Sequence, residues 1–167
     1  QLTRVGDTRR LFPLVVSGVK PCDSDVCKRN DMSDDHKPMV QYEERDEGRI
    51  AVITLDRPEA RNAQNTQMTY ELNDAFTRAA HTDSVKCIIL AANGPHFSSG
   101  HDLKGPGDYE APPVWVGGST TRGGAEGLMA YEEEMYLQMC RRWHDIPKPT
   151  IAAVQGKVIA GGLMLMW

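Results

Sequence analysis

Two short glycine-bearing segments carry the residue pattern with the most chemical content. Phe97-Ser98-Ser99-Gly100-His101-Asp102-Leu103 and Val154-Gln155-Gly156-Lys157-Val158-Ile159-Ala160-Gly161-Gly162 each follow a β-like apolar run, and about sixty residues separate them. Small residues let a turn bring its backbone close to another group, and a Gly-Gly opening to a helix leaves N–H groups without intrahelical partners. Two such turns converging on one carbonyl oxygen would form an oxyanion hole, which stabilises the negative charge that develops there during acyl chemistry.

Other chemistries that the same residues bring to mind fit less well. Gly156-Lys157-Val158-Ile159-Ala160-Gly161 has the glycine spacing of a phosphate-binding P-loop, but Gly162 and Leu163 stand where the Lys and the Ser/Thr belong. Without the phosphate-contacting Lys and the Mg²⁺-binding hydroxyl, nucleotide hydrolysis has no support. Neither turn reads G-x-G-x-x-G, so a dinucleotide site is not expected. Ser98, Ser99, His101 and Asp102 supply the side-chain types of a hydrolase triad, but within five residues, whereas triad members converge from separate elements and follow a G-x-S-x-G elbow. His96 and His101 lack the i, i+4 spacing of a helical zinc pair, and Cys22 and Cys27 have no second Cys or His pair beside them. No metal is expected.

At 167 residues the chain has the length of one domain. Residues 1–31 carry six Lys or Arg against four Asp, a net +2; since the whole chain is −4, the remainder carries −6. Such excess acid gives no electrostatic footprint for nucleic acid or an anionic membrane. Arg9-Arg10 followed by Leu11 to Val19 has the outline of a signal peptide, but Pro13 and Gly18 interrupt the apolar run and no A-x-A-like cleavage site follows. No stretch approaches the ~20 apolar residues of a membrane span. Met32 opens a polar approach to the first strand, so residues 1–31 read as an upstream extension or a misplaced start and are expected to be disordered. The cysteines at 22, 27, 87 and 140 form no disulfide framework; reduced thiols and a cytoplasmic location are expected.

The elements that would position the turns follow from periodicity. Val40 to Glu44 and Arg49 to Leu55, split by Asp46-Glu47-Gly48, read as a β-hairpin, with apolar residues on both faces of the second strand. From Thr66, the residues Met68, Leu72, Ala75, Phe76 and Ala79 recur at helical spacing as one core-facing stripe. Val85 to Ala92 is a continuous apolar run, as in a central parallel strand. Residues 104–125, rich in Gly and Pro, read as a mobile loop. A helix over 126–143 has Leu128, Tyr131, Met135, Met139 and Trp143 along one face, and a strand over 150–155 leads into the second glycine turn and a further helix. That order predicts an α/β fold whose parallel strands are joined by right-handed crossovers.

With Leu55-Asp56-Arg57-Pro58-Glu59-Ala60-Arg61-Asn62-Ala63 upstream, the two glycine turns in this order resemble the crotonase superfamily, the enoyl-CoA hydratase/isomerase family of acyl-CoA enzymes, over residues 41–167. The resemblance implies a crotonase-like spiral of ββα units. Residues 38–167 would be the N-terminal part of such a domain, after an extension over 1–37. It assigns the oxyanion-hole N–H groups to His101 and Gly161. Ala60 and Ala63 would lie along the adenine and pantetheine arm of CoA, and Asp102, Leu103 and Lys104 match a second CoA-contacting stretch. Arg57, Arg61 and Lys104 could offset phosphate charge. Coenzyme A would enter as part of an acyl-CoA thioester substrate rather than as a separate cofactor, and the full-length protein would be a homotrimer or a dimer of trimers.

One position departs from the family pattern. Hydratases of the family place a Glu three residues after the oxyanion-hole glycine, where this chain has Met164, and a thioether transfers no proton. Double-bond isomerisation, decarboxylation or thioester hydrolysis are then alternatives to hydration, and a noncatalytic acyl-CoA-binding or assembly subunit is the rival of a different class. Leu163-Met164-Leu165-Met166-Trp167 reads as the opening of a helix without a stop signal. The expectation is a truncated domain, inactive alone, with that apolar segment exposed.

Overall fold

The computed structural model describes residues 37–104, 114 and 124–166. The expectations for the extension and its two cysteines lie outside those residues, apart from Lys37, as does most of the loop over 104–125. Strands β1 (Val40–Arg45) and β2 (Ile50–Leu55) form the hairpin, paired antiparallel from Val40 opposite Leu55 to Arg45 opposite Ile50. Asp46, Glu47 and Gly48 turn the chain through three successive left-handed conformations. Next, β2 pairs in parallel with β3 (Cys87–Ala92), which pairs in parallel with β4 (Thr150–Ala152), so the sheet runs β1-β2-β3-β4. Ala51, Val52, Ile53 and Leu55 of β2 are all buried, as apolar residues on both faces predict.

Helix α1 (Thr66–His81) joins β2 to β3. Its N-cap is Asn65, whose Oδ1 accepts the Met68 N–H at 3.0 Å, a cap worth about 1 kcal/mol. The predicted stripe is buried in full, and Phe76 stacks on Trp143 with ring centroids 5.3 Å apart. Trp143 belongs to the helical run between β3 and β4, made of α2 (Gly124–Glu132), a π-helical turn (Glu133–Gln138) and α3 (Met139–His144).

That π turn corrects one expectation. Met135, Met139 and Trp143 are buried and Tyr131 is half-buried, but Leu128 is 64% exposed and the buried residue in its turn is Gly127. A π turn closes i→i+5 hydrogen bonds and holds one residue more than an α turn, so a stripe extrapolated with a 3.6-residue period slips by one position across it. The strand expected over 150–155 is also shorter. Ala153 N–H still donates to Leu90 O, but beyond it the Gln155 side chain takes over, donating to the carbonyls of Ala92 and Gly94. In α4 (Gly161–Met166), Leu163, Met164 and Met166 are exposed as expected, whereas Leu165 packs against the core. Among the described residues no helix is long and apolar enough to cross a membrane.

Candidate active site

Three loops at one end of the strands are laced together by main-chain groups and by a few buried polar side chains. In the first, after β2, Asn62 is fully buried and left-handed at φ 51°. Its Oδ1 accepts the Arg57 N–H at 2.9 Å, and its Nδ2 donates to the carbonyls of Asn93 (2.9 Å) and His96 (3.0 Å) in the second loop. Ser98, also fully buried, donates to Asn62 O at 2.8 Å and accepts from Gln64 Nε2 and from the Gly100 N–H. Arg57 Nη1 donates to Ala63 O at 3.0 Å and pairs with Asp102 Oδ2 at 2.6 Å, both side chains being largely enclosed. Burial alone would raise the Asp102 carboxyl. The bond and charge of Arg57, with the Lys104 N–H, override it and hold the carboxyl below its ordinary value.

This lacing sets the direction of the main chain at His101. Gln64 N–H donates to Gly100 O and Asp102 N–H donates to Gln64 O, each at 2.8 Å, so Gly100 and Asp102 turn their groups toward Gln64 and His101 turns its own N–H the other way. The third loop is held by a parallel bridge between Ser98 and Val158, in which Ile159 N–H donates to Ser98 O at 3.0 Å. Ala160 then takes φ 47°, a left-handed conformation that costs an alanine about 1–2 kcal/mol, immediately before Gly161. Gly162 and Leu163 donate back to Ile159 and Ala160. Among the described residues, neither the His101 N–H nor the Gly161 N–H has a hydrogen-bond partner.

The two glycine turns meet. Gly100 has φ 88°, and a Cβ placed on it would lie 2.7 Å from Ile159 O and 3.1 Å from the Gly161 nitrogen. A Cβ on Gly161 would lie 2.5 Å from His101 Cδ2, 2.8 Å from His101 Nε2 and 3.0 Å from Gln64 Oε1. Gly100 thus lies against the backbone of the third loop and Gly161 against the His101 and Gln64 side chains, and neither position has room for a Cβ.

A wall from the helical run faces the turns. Tyr136, on the π turn, stacks on the His101 ring with centroids 3.4 Å apart, and its hydroxyl donates to Gln64 O at 3.3 Å. Tyr131 packs edge-on to Tyr136 and shares a hydrogen bond with Thr66. Burial raises both phenols above their ordinary value, and negative charge at Glu132 adds to it, so both stay neutral in the physiological range. Tyr136 and Met164 also line a cavity of about 510 Å³ whose wall combines Phe76, Leu90 and Trp143 with Arg141, His144, Asp145 and Lys148.

The residues expected to act thus fall into groups. His101 and Gly161 are brought side by side; Arg57, Ala63 and Asp102 form one hydrogen-bonded cluster. The guanidinium of Arg57 is already engaged with that cluster, whereas Arg61, Leu103 (96% exposed) and Lys104 face solvent and Ala60 is half-buried. Sequence reasoning did not find Asn62, Gln64 or Tyr136. The first two stood inside or beside a recognised motif with polar side chains and no assigned partner. Tyr136, buried beside Met135 and Met139, was passed over because nothing in its spacing marked it as the partner of His101.

A family model described as Enoyl-CoA hydratase/isomerase matches residues 45–167. A Mycobacterium tuberculosis (strain ATCC 25618 / H37Rv) protein, provisionally named enoyl-CoA hydratase EchA13, is 42% identical over 154 residues, covering 85% of this chain and 48% of that protein. The 1,2-epoxyphenylacetyl-CoA isomerase of Escherichia coli (strain K12) is 30% identical, covering 70% of this chain and 40% of that enzyme. A crystal structure of a probable enoyl-CoA hydratase from Mycobacterium smegmatis superposes with a TM-score of 0.64 at 46% identity, covering 78% of this chain and 46% of that one. The chain spans about half the length of the relatives it matches.

Proposed function

Because the chain belongs to the enoyl-CoA hydratase/isomerase family and its α/β architecture is crotonase-type, we propose that it binds an acyl-CoA thioester and polarises the thioester carbonyl with the N–H groups of His101 and Gly161. The observation that carries this reading is the contact of the two turns, with Gly100 against the Gly161 nitrogen and both donors free among the described residues. A carbonyl oxygen accepting both N–H groups gains most when it becomes an enolate oxygen, so the pair favours the enolate over the bound ester.

Coenzyme A would run along Ala60 and Ala63 and past Asp102, Leu103 and Lys104, with the exposed Arg61 and Lys104 offsetting phosphate charge. Arg57 holds Asp102 and the Ala63 carbonyl in place. An acyl chain would run toward the cavity that shares Tyr136 with the His101 wall, against its apolar members Phe76, Leu90 and Trp143. The proposal includes a homotrimer or dimer of trimers for the full-length protein and a cytoplasmic location.

Met164, exposed and unable to move a proton, supports a second reading as a noncatalytic acyl-CoA-binding or assembly subunit. Titration of the full-length gene product with acetoacetyl-CoA, followed by turnover of an enoyl-CoA, separates the two. The enzyme reading expects saturable binding and turnover that Gly161→Pro, which deletes one donor, lowers by about 10²–10³-fold. Saturable binding with no turnover of an enoyl-CoA, a malonyl-type CoA or a simple acyl-CoA thioester supports the rival, no binding overturns both, and unchanged turnover in Gly161→Pro removes the oxyanion assignment. The chain of 167 residues alone is expected to be inactive.

A further inference from the structure

The main chain of His101 is assigned above, but its side chain has an unexplained position. Among the described residues the Nε2 atom is shielded from solvent and has no hydrogen-bond partner, while the ring is clamped between Tyr136 and the Gly161 turn. An unpaired ring nitrogen shielded in this way costs about 1–3 kcal/mol. Such a cost is recovered when a ligand supplies the partner, and the ligand proposed for the adjoining N–H groups carries acidic protons at the carbon next to its carbonyl.

Other groups around the ring are unsuited to taking one of those protons. Asp102, the next residue, is tied to Arg57 and to the Lys104 N–H. Tyr131 and Tyr136, with Glu132 nearby, present neutral phenols whose hydroxyls are engaged with Thr66 and Gln64 O. Glu134 of the same π turn is fully buried against Tyr70 and Val114. From the third loop, Gly161 through Met166 contribute no titratable side chain.

We propose that the His101 imidazole is the proton-transfer group of this site, in addition to the oxyanion donor on the same residue. This rests on the acyl-CoA reading above. Nε2 of the neutral ring takes the α-proton of the thioester: the Cα–H bond breaks, its electron pair forms the Cα–C1 double bond, and the carbonyl pair moves onto the oxygen held by the two N–H groups. The imidazolium returns the proton to Cα, or to Cγ of a conjugated dienolate, which shifts a double bond without any co-reactant.

Deuterium incorporation at Cα of butyryl-CoA in D₂O, read by mass spectrometry on the full-length gene product, tests the proposal. The wild type is expected to bind butyryl-CoA and to exchange, at a rate rising with pH through one ionisation. His101→Gln and His101→Ala both keep the main-chain N–H. Each should lower exchange by about 10²–10⁴-fold and abolish that ionisation, with the dissociation constant changed less than about threefold, and added imidazole should partly restore exchange in His101→Ala. Exchange in either variant at the wild-type rate and pH profile overturns the assignment, as does wild-type binding without exchange. Failure of the wild type to bind butyryl-CoA overturns the acyl-CoA reading itself, and circular dichroism melts identify a variant that has simply unfolded, in which case the other variant decides.

Discussion

Replacing Gly100 by alanine tests whether the two turns touch. Two penalties apply. At φ 88° an alanine pays the left-handed cost of about 1–2 kcal/mol. Its methyl would also stand 2.7 Å from Ile159 O, well inside the ~3.5 Å at which non-bonded atoms pack comfortably, with the Gly161 nitrogen at 3.1 Å and Ala160 Cβ at 3.2 Å behind it. The close neighbours include backbone, which cannot swing aside, so the third loop must move by several tenths of an ångström.

Gly48 in the β1–β2 turn supplies the control. It has nearly the same φ, 81°, but a Cβ there meets Ser84 Oγ at 3.5 Å, Glu44 Oε2 at 3.6 Å and Ser84 Cβ at 3.9 Å, all ordinary contacts. Gly48→Ala therefore carries the conformational term alone, and the change in unfolded-state entropy is common to both variants. Urea unfolding should show Gly100→Ala destabilised beyond Gly48→Ala by about 1–3 kcal/mol, the usual cost of overpacking. Since a 1 Å misplacement of a reacting group costs about 10²-fold, the same substitution in the full-length gene product should also lower the proposed acyl-CoA turnover at temperatures where it remains folded. Equal destabilisation of the two variants, within about 0.5 kcal/mol, would show that nothing crowds Gly100 and would remove the contact on which the oxyanion reading stands.

Asn62→Ala should destabilise the chain by about 3 kcal/mol or more in urea unfolding, because it strips partners from the Arg57 N–H and from two carbonyls in an enclosed setting; a loss under 1 kcal/mol would mean that this side chain does not join the loops. The Asp102 carboxyl titrates lower in the folded chain than in the unfolded one, so its stabilisation is present above the ordinary aspartate value of about 3.9 and is lost as pH falls through the folded value. Asp102→Asn should cost about 1–2 kcal/mol near neutrality, and the gap from wild type should narrow on acidification; parallel stability curves would contradict the pairing with Arg57.

Much of the fold was legible because its elements are periodic or interrupted by turn residues. The hairpin, the stripe of α1 and the apolar β3 run follow from side-chain patterning, which is what burial against a sheet selects. The π turn left no such trace. Its extra residue is a hydrogen-bonding choice made when Met135, Tyr136 and Met139 pack, and Leu128 was consequently placed on the wrong face. In the site, the closeness of the turns could be read from small residues, because small residues are what close approach demands. The partners of Arg57, Asn62 and Gln64 could not, since Arg57 and Asp102 lie 45 positions apart and only the completed fold brings them to 2.6 Å.

The π turn also determines how this helical run is to be compared with those of relatives. Holding one residue more than a regular turn, it is the natural address for a single-residue insertion or deletion. Two relatives whose runs differ in length by one can both keep Gly127 and Tyr131 in place on one side, and Met139 and Trp143 on the other, if the gap falls within 133–138. A gap put in the preceding loop would slide the upstream half by one position and exchange buried Gly127 for exposed Leu128. The run is therefore to be aligned from its two ends inward, with any mismatch in length left to its middle.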